Sequence, residues 1–338
     1  MGRFHGGKGL TTHTSHLRID ISGGTLDLWP LYHLVDGAKT VNAPLNLHAK
    51  ASVKIGQRMK DPKGARICIS NLNYDKKFST VEELLVCNDE ELAILQPVLK
   101  IYPIPKIVGL EVITESQSPV GGGLGGSSTL LVALLKAFDA ELKILRTEED
   151  YVTLACGLES AILKSPAGTQ DYYQAIEPGL SCIEYSYEGR RRTFFKSPWL
   201  EKHKKDFMLI YSGHPHHSGL NNWNIYQAAI NKDPVTLKVL QGLKDVSEHI
   251  YQDLQTAEGS QMQALLEEEL KLRTELASGY VNEPLSACIE ILKAHSVKHF
   301  KICGAGGGGC LWAIVPEDLR SQLNFGTHAQ IIECEMII

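Results

Sequence analysis

The sequence predicts a mixed α+β fold in two domains, and two observations support this. The chain has 338 residues, which exceeds the usual size of a single hydrophobic core. Strand-like and helix-like stretches are segregated along the chain instead of alternating strictly, a pattern typical of α+β layers. The boundary is expected near residues 185–205, which gives an N-terminal domain of residues 1–195 and a C-terminal domain of residues 196–338.

Hydrophobic periodicity predicts the individual elements. In the N-terminal half, strands are predicted at residues 17–28, 41–53, 67–72, 107–114 and 180–187, and helices at residues 82–102, 128–142 and 147–163. In the C-terminal half, strands are predicted at residues 207–211, 311–315 and 330–338, with a short apolar run at residues 300–302, and helices at residues 234–257, 261–278 and 286–295.

Composition excludes several classes of function. The formal net charge of -5 argues against nucleic acid or an anionic membrane as the main partner. Eight cysteines without a CxxC pair favour reduced, buried thiols over disulfides or a zinc site. No apolar signal region and no membrane-length apolar run is found, so we expect a cytoplasmic monomer or homodimer.

A glycine-rich segment, Pro119 to Ser128 (PVGGGLGGSS), stands directly before a strongly apolar helical stretch. Glycines let the backbone turn tightly and present several N–H groups to one anion, and the helix N-terminus adds its own donors. Ser127 and Ser128 offer hydroxyls for a magnesium ion on the phosphates. The Walker A ending is absent. Alone, the segment favours a phosphate cradle, with a glycine-rich turn before a helix as the alternative.

A second glycine cluster occurs at Lys301 to Gly309 (KICGAGGGG). So many glycines weaken any regular element, so their expected use is close backbone approach to a ligand or to another loop. The alternative is a close strand crossing in the core. Two such loops in one chain suggest a shared site.

Two carboxylates, Glu159 and Asp171, are twelve residues apart with a turn between them. A magnesium-nucleotide kinase needs one carboxylate on the metal and one near the acceptor hydroxyl. The spacing alone equally allows a solvated Glu159 and an Asp171 that caps a helix. Arg18 and Asp27 lie on either side of Gly23-Gly24. An arginine in this place can neutralise the charge that develops on a transferred phosphoryl group, and an aspartate can accept hydrogen bonds from a polyol. By themselves the two residues favour the alternative of a surface ion pair or a turn residue.

These three segments resemble the motifs of the GHMP kinases (galactokinase, homoserine kinase, mevalonate kinase and phosphomevalonate kinase), in the family's order. The first motif is Arg18 to Asp27 (RIDISGGTLD), followed by the two glycine-rich segments, with Gly126 where the family's motif has its first serine. The resemblance implies an N-terminal domain of the ribosomal protein S5 domain 2-like type and a ferredoxin-like C-terminal domain, with the active site between them.

The resemblance also implies roles for single residues. Ser127 and Glu159 would hold magnesium, Asp171 would face the acceptor hydroxyl with Arg18 beside it, and Asp27 would recognise sugar hydroxyls. The implied ATP-binding residues are Pro119, Gly121, Gly122, Gly123, Leu124, Gly125, Gly126, Ser127 and Ser128. The implied substrate-binding residues are Gly24, Thr25, Asp27, Asp171, Gly304, Ala305, Gly306 and Gly307.

The first motif is more similar to heptose 7-phosphate kinases and fucokinases than to galactokinase. We therefore expect an ATP- and magnesium-dependent kinase acting on a sugar or sugar phosphate, with the anomeric hydroxyl as acceptor. The alternatives are a non-catalytic sensor of sugar and nucleotide, or a decarboxylase of a phosphorylated mevalonate. Residues 82–99 are the expected adenine-binding segment, and the His214–His217 cluster is expected to be a polar loop at the site entrance.

Overall fold

The computed structural model describes residues 9–56, 64–104, 109–216, 218–326 and 329–338. A seven-stranded sheet has the order β4-β3-β5-β2-β6-β7, with β1 also paired to β2. Its strands are β1 (Thr11–Ser22), β2 (Ala38–Gly56), β3 (Ala65–Ile69), β4 (Tyr74–Phe78), β5 (Gly109–Ser116), β6 (Ser181–Ser186) and β7 (Gly189–Phe194). The helices in this half are α1 (Leu31–Leu34), α2 (Val81–Val86), α3 (Leu95–Ile101), α4 (Gly126–Leu142), α5 (Glu148–Leu163) and α6 (Gln170–Ile176).

The C-terminal half is built on a four-stranded antiparallel sheet of order β11-β8-β10-β9. Its strands are β8 (Phe207–Tyr211), β9 (Phe300–Ile302), β10 (Cys310–Ile314) and β11 (Gln330–Ile332). Its helices are α7 (Pro198–His203), α8 (Ser218–Ile230), α9 (Pro234–Leu254), α10 (Met262–Leu276), α11 (Glu283–Ala294) and α12 (Glu317–Arg320). The predicted mixed α+β class is confirmed. The predicted boundary at residue 195 falls between β7 and α7 and stays a prediction.

The strand expected at residues 17–28 begins earlier, at Thr11, and ends at Ser22, where the chain enters a turn. Two other predictions also differ clearly from the structure in extent. The single helix expected at residues 82–102 is broken into α2 and α3 by a 3-10 turn at Glu90–Leu92. The final strand expected at residues 330–338 ends at Ile332, after which the chain turns to β2, where Ile337 N donates to Pro44 O at 2.8 Å. In both cases the apolar pattern overstated the element: Val86, Ile331, Ile337 and Ile338 are exposed, and tertiary contacts decided the backbone geometry.

The strand β1 has one apolar face and one polar face, and both are buried. Leu17, Ile19 and Ile21 belong to a core cluster that also contains Trp312 of β10. The intervening residues Arg18, Asp20 and Ser22 point to the opposite face, as the two-residue period of a strand requires.

A buried charge cluster forms on this polar face of β1 and joins the two sheets. Lys301 Nζ lies 2.9 Å from Asp20 Oδ1 and 3.7 Å from Glu269 Oε1, and Arg273 Nε lies 2.8 Å from Glu269 Oε1. Ser22 Oγ donates to Glu269 Oε2 at 2.8 Å. Burial works against the charge of Asp20, but Lys301, Arg273 and Arg18 outweigh it and lower its pKa.

The short helix α6 is held by an aspartate that is distant in sequence. Asp27 Oδ2 accepts hydrogen bonds from the backbone N–H groups of Thr169 (2.7 Å) and Gln170 (3.1 Å). These donors are the unpaired N–H groups at the start of a helix. Asp27 thus acts as the cap, and Asp171 is the second residue of α6, so the alternative reading of Asp171 as a helix cap was wrong.

Within the described residues, no helix is both long and apolar enough to cross a membrane. All eight cysteines are free thiols.

The carboxyl of Asp27 gives a pH-dependent prediction. Burial, opposed by the N–H group of Gln170, raises its pKa from 3.8 to about 6. Because the folded pKa is above the unfolded one, the folded state binds the proton more tightly, and this stabilisation is lost as pH rises from about 4 to above 6. Asp27→Asn stays neutral and keeps an acceptor oxygen. We therefore expect the variant to gain stability relative to wild type between pH 4.5 and pH 7.5.

Urea unfolding of both proteins at the two pH values measures this difference. A stability difference that is the same at pH 4.5 and pH 7.5 would contradict the raised pKa of Asp27.

Candidate active site

A cavity of about 510 Å³ lies where the first motif, the two glycine-rich segments and the start of α6 meet. The volume is within the usual range for small-molecule sites. Nearly all of the residues that the sequence implicated line it. These are Arg18, Gly24, Thr25, Asp27, Pro119, Gly121, Gly122, Gly123, Gly125, Gly126, Ser127, Ser128, Glu159, Asp171, Gly304 and Ala305.

The first glycine-rich segment forms the floor of the cavity, and three of its glycines have left-handed backbones. The φ angles of Gly121, Gly123 and Gly125 are 59°, 73° and 72°, a region that side chains with a Cβ rarely adopt. Gly125 is the N-cap of α4, so the helix begins at the end of the loop and its first N–H groups face the cavity side. Leu124 differs from its neighbours because it is fully buried in the core.

Glu159 on α5 reaches the first turn of α4. Its Oε1 accepts a hydrogen bond from Ser127 Oγ at 2.7 Å, and its Oε2 accepts from Ser128 Oγ (2.7 Å) and from Tyr172 Oη (2.6 Å). The side chain is 7% exposed. Burial raises the pKa of Glu159, and the three hydroxyl donors oppose that shift. The solvated-residue alternative for Glu159 was therefore wrong.

Asp171 lies beside Glu159 and is open to the cavity, with 20% of its side chain exposed. Its Oδ1 accepts from Arg18 Nε at 2.7 Å and also from the Arg18 Nη2 group, and its Oδ2 lies 3.2 Å from Ser128 Oγ. Arg18 Nη1 donates to the carbonyl of Gly123 at 2.8 Å. The guanidinium therefore fixes Asp171 against the glycine-rich loop, and the surface ion-pair alternative for Arg18 was wrong because it is 4% exposed.

The donor atoms at the first turn of α4 fit a magnesium ion. Magnesium prefers oxygen ligands at about 2.0–2.1 Å in octahedral geometry, which puts neighbouring ligand atoms about 2.9 Å apart. Ser127 Oγ and Glu159 Oε1 are separated by 2.7 Å, close to that spacing. Among the described residues no cluster of three or more His, Cys, Asp or Glu side chains offers a metal site, so any ion here needs oxygens from a ligand or water.

The second glycine-rich segment packs against the first. Close approach to another loop is one of the two uses that the sequence predicts for it. Cys310 N donates to Gly122 O at 2.8 Å, and a Cβ atom on Gly123 would lie 2.6 Å from Cys303 O. Gly304 and Ala305 line the cavity. Gly306 and Gly307 face Tyr280 and Asn282 instead, since Gly307 N donates to Tyr280 O and Gly307 O accepts from Asn282 Nδ2.

One part of the cavity lining is apolar, and no sequence motif indicated it. Its side chains are Ile67, Ile69, Leu72, Ile94, Leu130 and Leu134. They come from three separate stretches of the chain, so no single motif carries them. Part of the segment 82–99 contributes, because Glu90, Glu91, Ile94 and Leu95 reach the cavity.

The first motif supplies the wall next to Asp171. Gly24 O accepts a hydrogen bond from Arg273 Nη2 at 2.9 Å, so a member of the buried charge cluster holds the backbone of this turn in place. Thr25 has a φ of 76°, which is unusual for a β-branched residue and marks a strained position at the cavity.

The histidine cluster contributes one side chain to the cavity. His216 lines it, and its Nδ1 lies 2.9 Å from the carbonyl oxygen of Gly121. His214 O accepts from Gly309 N at 2.7 Å, so this loop holds the two glycine-rich segments together. His217 lies outside the described residues.

Comparison with known proteins agrees with this geometry. Residues 92–179 match the GHMP kinases N terminal domain, and residues 258–324 match the GHMP kinases C terminal domain. The D-glycero-alpha-D-manno-heptose 7-phosphate kinase of Campylobacter jejuni is 40% identical over 78 residues, 23% of each chain. The L-fucokinase/L-fucose-1-P guanylyltransferase of Bacteroides fragilis is 22% identical over 90% of this chain and 34% of its own.

The mevalonate kinase of Thermococcus gammatolerans is also similar, with 25% identity over 62% of this chain and 60% of its own. Each of these three alignments spans less than two thirds of the relative's length.

Solved structures show the same fold over nearly the whole chain. A D-glycero-D-manno-heptose 1-phosphate kinase from Bacteroides thetaiotaomicron superposes with a TM-score of 0.73 at 18% identity, covering 96% of this chain and 95% of its own. Lactococcus lactis galactokinase superposes with a TM-score of 0.74 at 15% identity, covering 97% and 94%. The chain therefore contains the GHMP kinases N terminal and C terminal domains in that order, and it shares its fold with these two kinases over nearly its whole length.

Proposed function

We propose that this protein is an ATP-dependent kinase that transfers the γ-phosphoryl group to a sugar or sugar phosphate. The acceptor is of the heptose 7-phosphate or fucose type, and the hydroxyl is the anomeric one. The observation that carries the proposal is the pair of carboxylates, Glu159 and Asp171, held at the end of a glycine-rich loop and a helix N-terminus. Phosphoryl transfer needs such a pair beside an anion cradle.

The residues divide the work by their exposure and partners. The N–H groups of the glycine-rich segment and of the first turn of α4 bind the phosphates. Asp171, which is open to the cavity, orients the acceptor hydroxyl and receives its proton. The acceptor oxygen forms its bond to the γ-phosphorus while the bond from that phosphorus to the β,γ-bridging oxygen breaks, and ADP leaves. Arg18 holds Asp171 in place through two N–H donors, and it adds positive charge next to the transferred group.

Ser127 and Glu159 are the residues that would hold magnesium. When bound, the ion supplies charge neutralisation on the phosphate oxygens. Ser128 is a different case from Ser127, because its hydroxyl is buried between Glu159 and Asp171 and has only one proton to donate. We propose that the Ser128 side chain holds the two carboxylates apart and that its backbone N–H remains free to bind phosphate.

The lining of the cavity suits two substrates. Its apolar part, which includes Ile67, Ile94 and Leu134, has the character of a nucleobase slot. Its polar lining includes Asp27, Gln170 and Thr25, groups that hydrogen-bond to hydroxyls. The names of the heptose-phosphate kinase and fucokinase relatives support a sugar acceptor, and the mevalonate kinases make mevalonate the competing one.

A panel of acceptors tests the function directly. The purified protein is incubated with ATP and magnesium and each of several hexoses, fucose, heptose phosphates and mevalonate, and products are read by phosphorus NMR. We expect one sugar or sugar phosphate to give an anomeric phosphate. Phosphorylation of mevalonate alone would reject the sugar assignment, and binding of a sugar and nucleotide without any product would favour a sensor.

Replacing Asp171 with alanine tests the proton acceptor. We expect kcat to fall by roughly 10²–10⁴-fold, the range for general acid–base catalysis, while affinity for an ATP analogue is retained because the glycine-rich loop is intact. Asp245→Ala, an exposed change on α9, is the control and should keep wild-type kcat. Near-normal turnover of the Asp171 variant would show that the role was assigned wrongly.

Replacing Ser127 with alanine tests the metal site. The variant loses one oxygen ligand, so we expect the magnesium concentration for half-maximal activity to rise by at least about tenfold, the lower range for losses at metal sites. Initial rates across a magnesium titration at saturating ATP measure this. Glu267→Gln, on the exposed face of α10, serves as the control. An unchanged magnesium requirement in the Ser127 variant would remove Ser127 from the site.

A further inference from the structure

Gly126 is a glycine that its own backbone does not require. It is the first residue of α4 and is absent from the positive-φ glycines, in contrast to Gly121, Gly123 and Gly125. Glycine in a helix costs stability relative to alanine. The reason for a glycine here must therefore lie in what surrounds the position.

The neighbour that excludes a side chain at residue 126 is Ser118. A Cβ atom on Gly126 would lie 2.6 Å from Ser118 Oγ and 2.7 Å from Ser118 Cβ, well inside the distance at which such atoms pack. Those are the only two atoms within 4 Å that the position would meet outside its own helix and chain neighbours. The side chain of Ser118 thus occupies the space that a residue-126 side chain would fill.

The hydroxyls of the first turn of α4 are already engaged. Ser127 Oγ and Ser128 Oγ both donate to Glu159. Ser118 Oγ lies beside the backbone of Gly126, lines the cavity and donates to the adjacent carbonyl of Pro119 at 3.1 Å. It is a hydroxyl at the mouth of the phosphate cradle that makes no bond to either carboxylate.

We propose that Ser118 is a nucleotide-binding residue whose hydroxyl exchanges its 3.1 Å hydrogen bond to the Pro119 carbonyl for one to a phosphate oxygen of ATP above the first turn of α4, in the place of a side chain at residue 126. The inference rests on the proposed function. It also explains the glycine at residue 126, because a second side chain would displace the Ser118 hydroxyl. Residues 118 and 126 are thus a coupled pair, in which one position carries the hydroxyl and the other leaves room for it.

The test exchanges the hydroxyl between the two positions. Affinity for a non-hydrolysable ATP analogue with magnesium is measured by calorimetry, together with KM for ATP. We expect Ser118→Ala to weaken binding by about tenfold, the loss for one hydrogen bond to a charged group. Gly126→Ser alone should also weaken binding, because the two side chains clash. The double variant Ser118→Gly with Gly126→Ser also removes the Ser118 Cβ atom that would lie 2.7 Å from the new side chain, and it should recover most of the affinity.

The matched control is the double variant Ser118→Gly with Gly126→Ala, which fills the same space without a hydroxyl and should not recover. Thermal unfolding of every variant checks that the fold is retained. Provided that wild type binds the analogue, two results would overturn the role of Ser118 and leave the proposed function intact. One is that Ser118→Ala binds the analogue as tightly as wild type, and the other is that the two double variants recover equally. If wild type does not bind the analogue, the proposed function fails with it.

Discussion

The contact between the two glycine-rich segments is the constraint on which the site depends. The two backbones are in direct contact there. Cys310 N donates to Gly122 O, and a Cβ atom on Gly123 would lie 2.6 Å from the carbonyl oxygen of Cys303. A side chain on either segment would push the two sheets apart. The N-terminal sheet supplies the phosphate cradle and the C-terminal sheet supplies Gly304 and Ala305, so the cavity exists only while this approach is maintained.

The polar face of β1 continues this connection through charge. From one strand, Arg18 reaches Asp171, Asp20 reaches Lys301, and Ser22 reaches Glu269. Burying so many polar groups is unfavourable unless each has its partner. A network of this kind tolerates few alternative arrangements, and we infer that it fixes how the first motif sits against the second glycine-rich segment. The Gly24 carbonyl, bonded to Arg273, is where that network meets the cavity.

Preorganisation of Asp171 comes from outside its own helix. Asp27 binds the N-terminus of α6, Arg18 holds the carboxylate, and Ser128 separates it from Glu159. Catalysis by positioned groups gains most when they need little rearrangement during the reaction. The first motif therefore has a structural use, because Asp27 and Arg18 both act on the helix that carries Asp171. Recognition of sugar hydroxyls by Asp27 stays a proposal.

The sequence by itself determined the α+β class and the glycine-rich segments, because glycine clusters are local signals. Glu159, Asp171 and Arg18 were candidates from the sequence, and the resemblance of its motifs to the GHMP kinases, not their spacing, favoured a role in the site. Tertiary structure alone decided the rest. The apolar part of the cavity is assembled from three stretches, the Asp27 cap spans more than 140 residues of chain, and the reason for Gly126 is the side chain of Ser118. Each depends on which atoms come within a few ångströms of one another, and only the folded chain sets those distances.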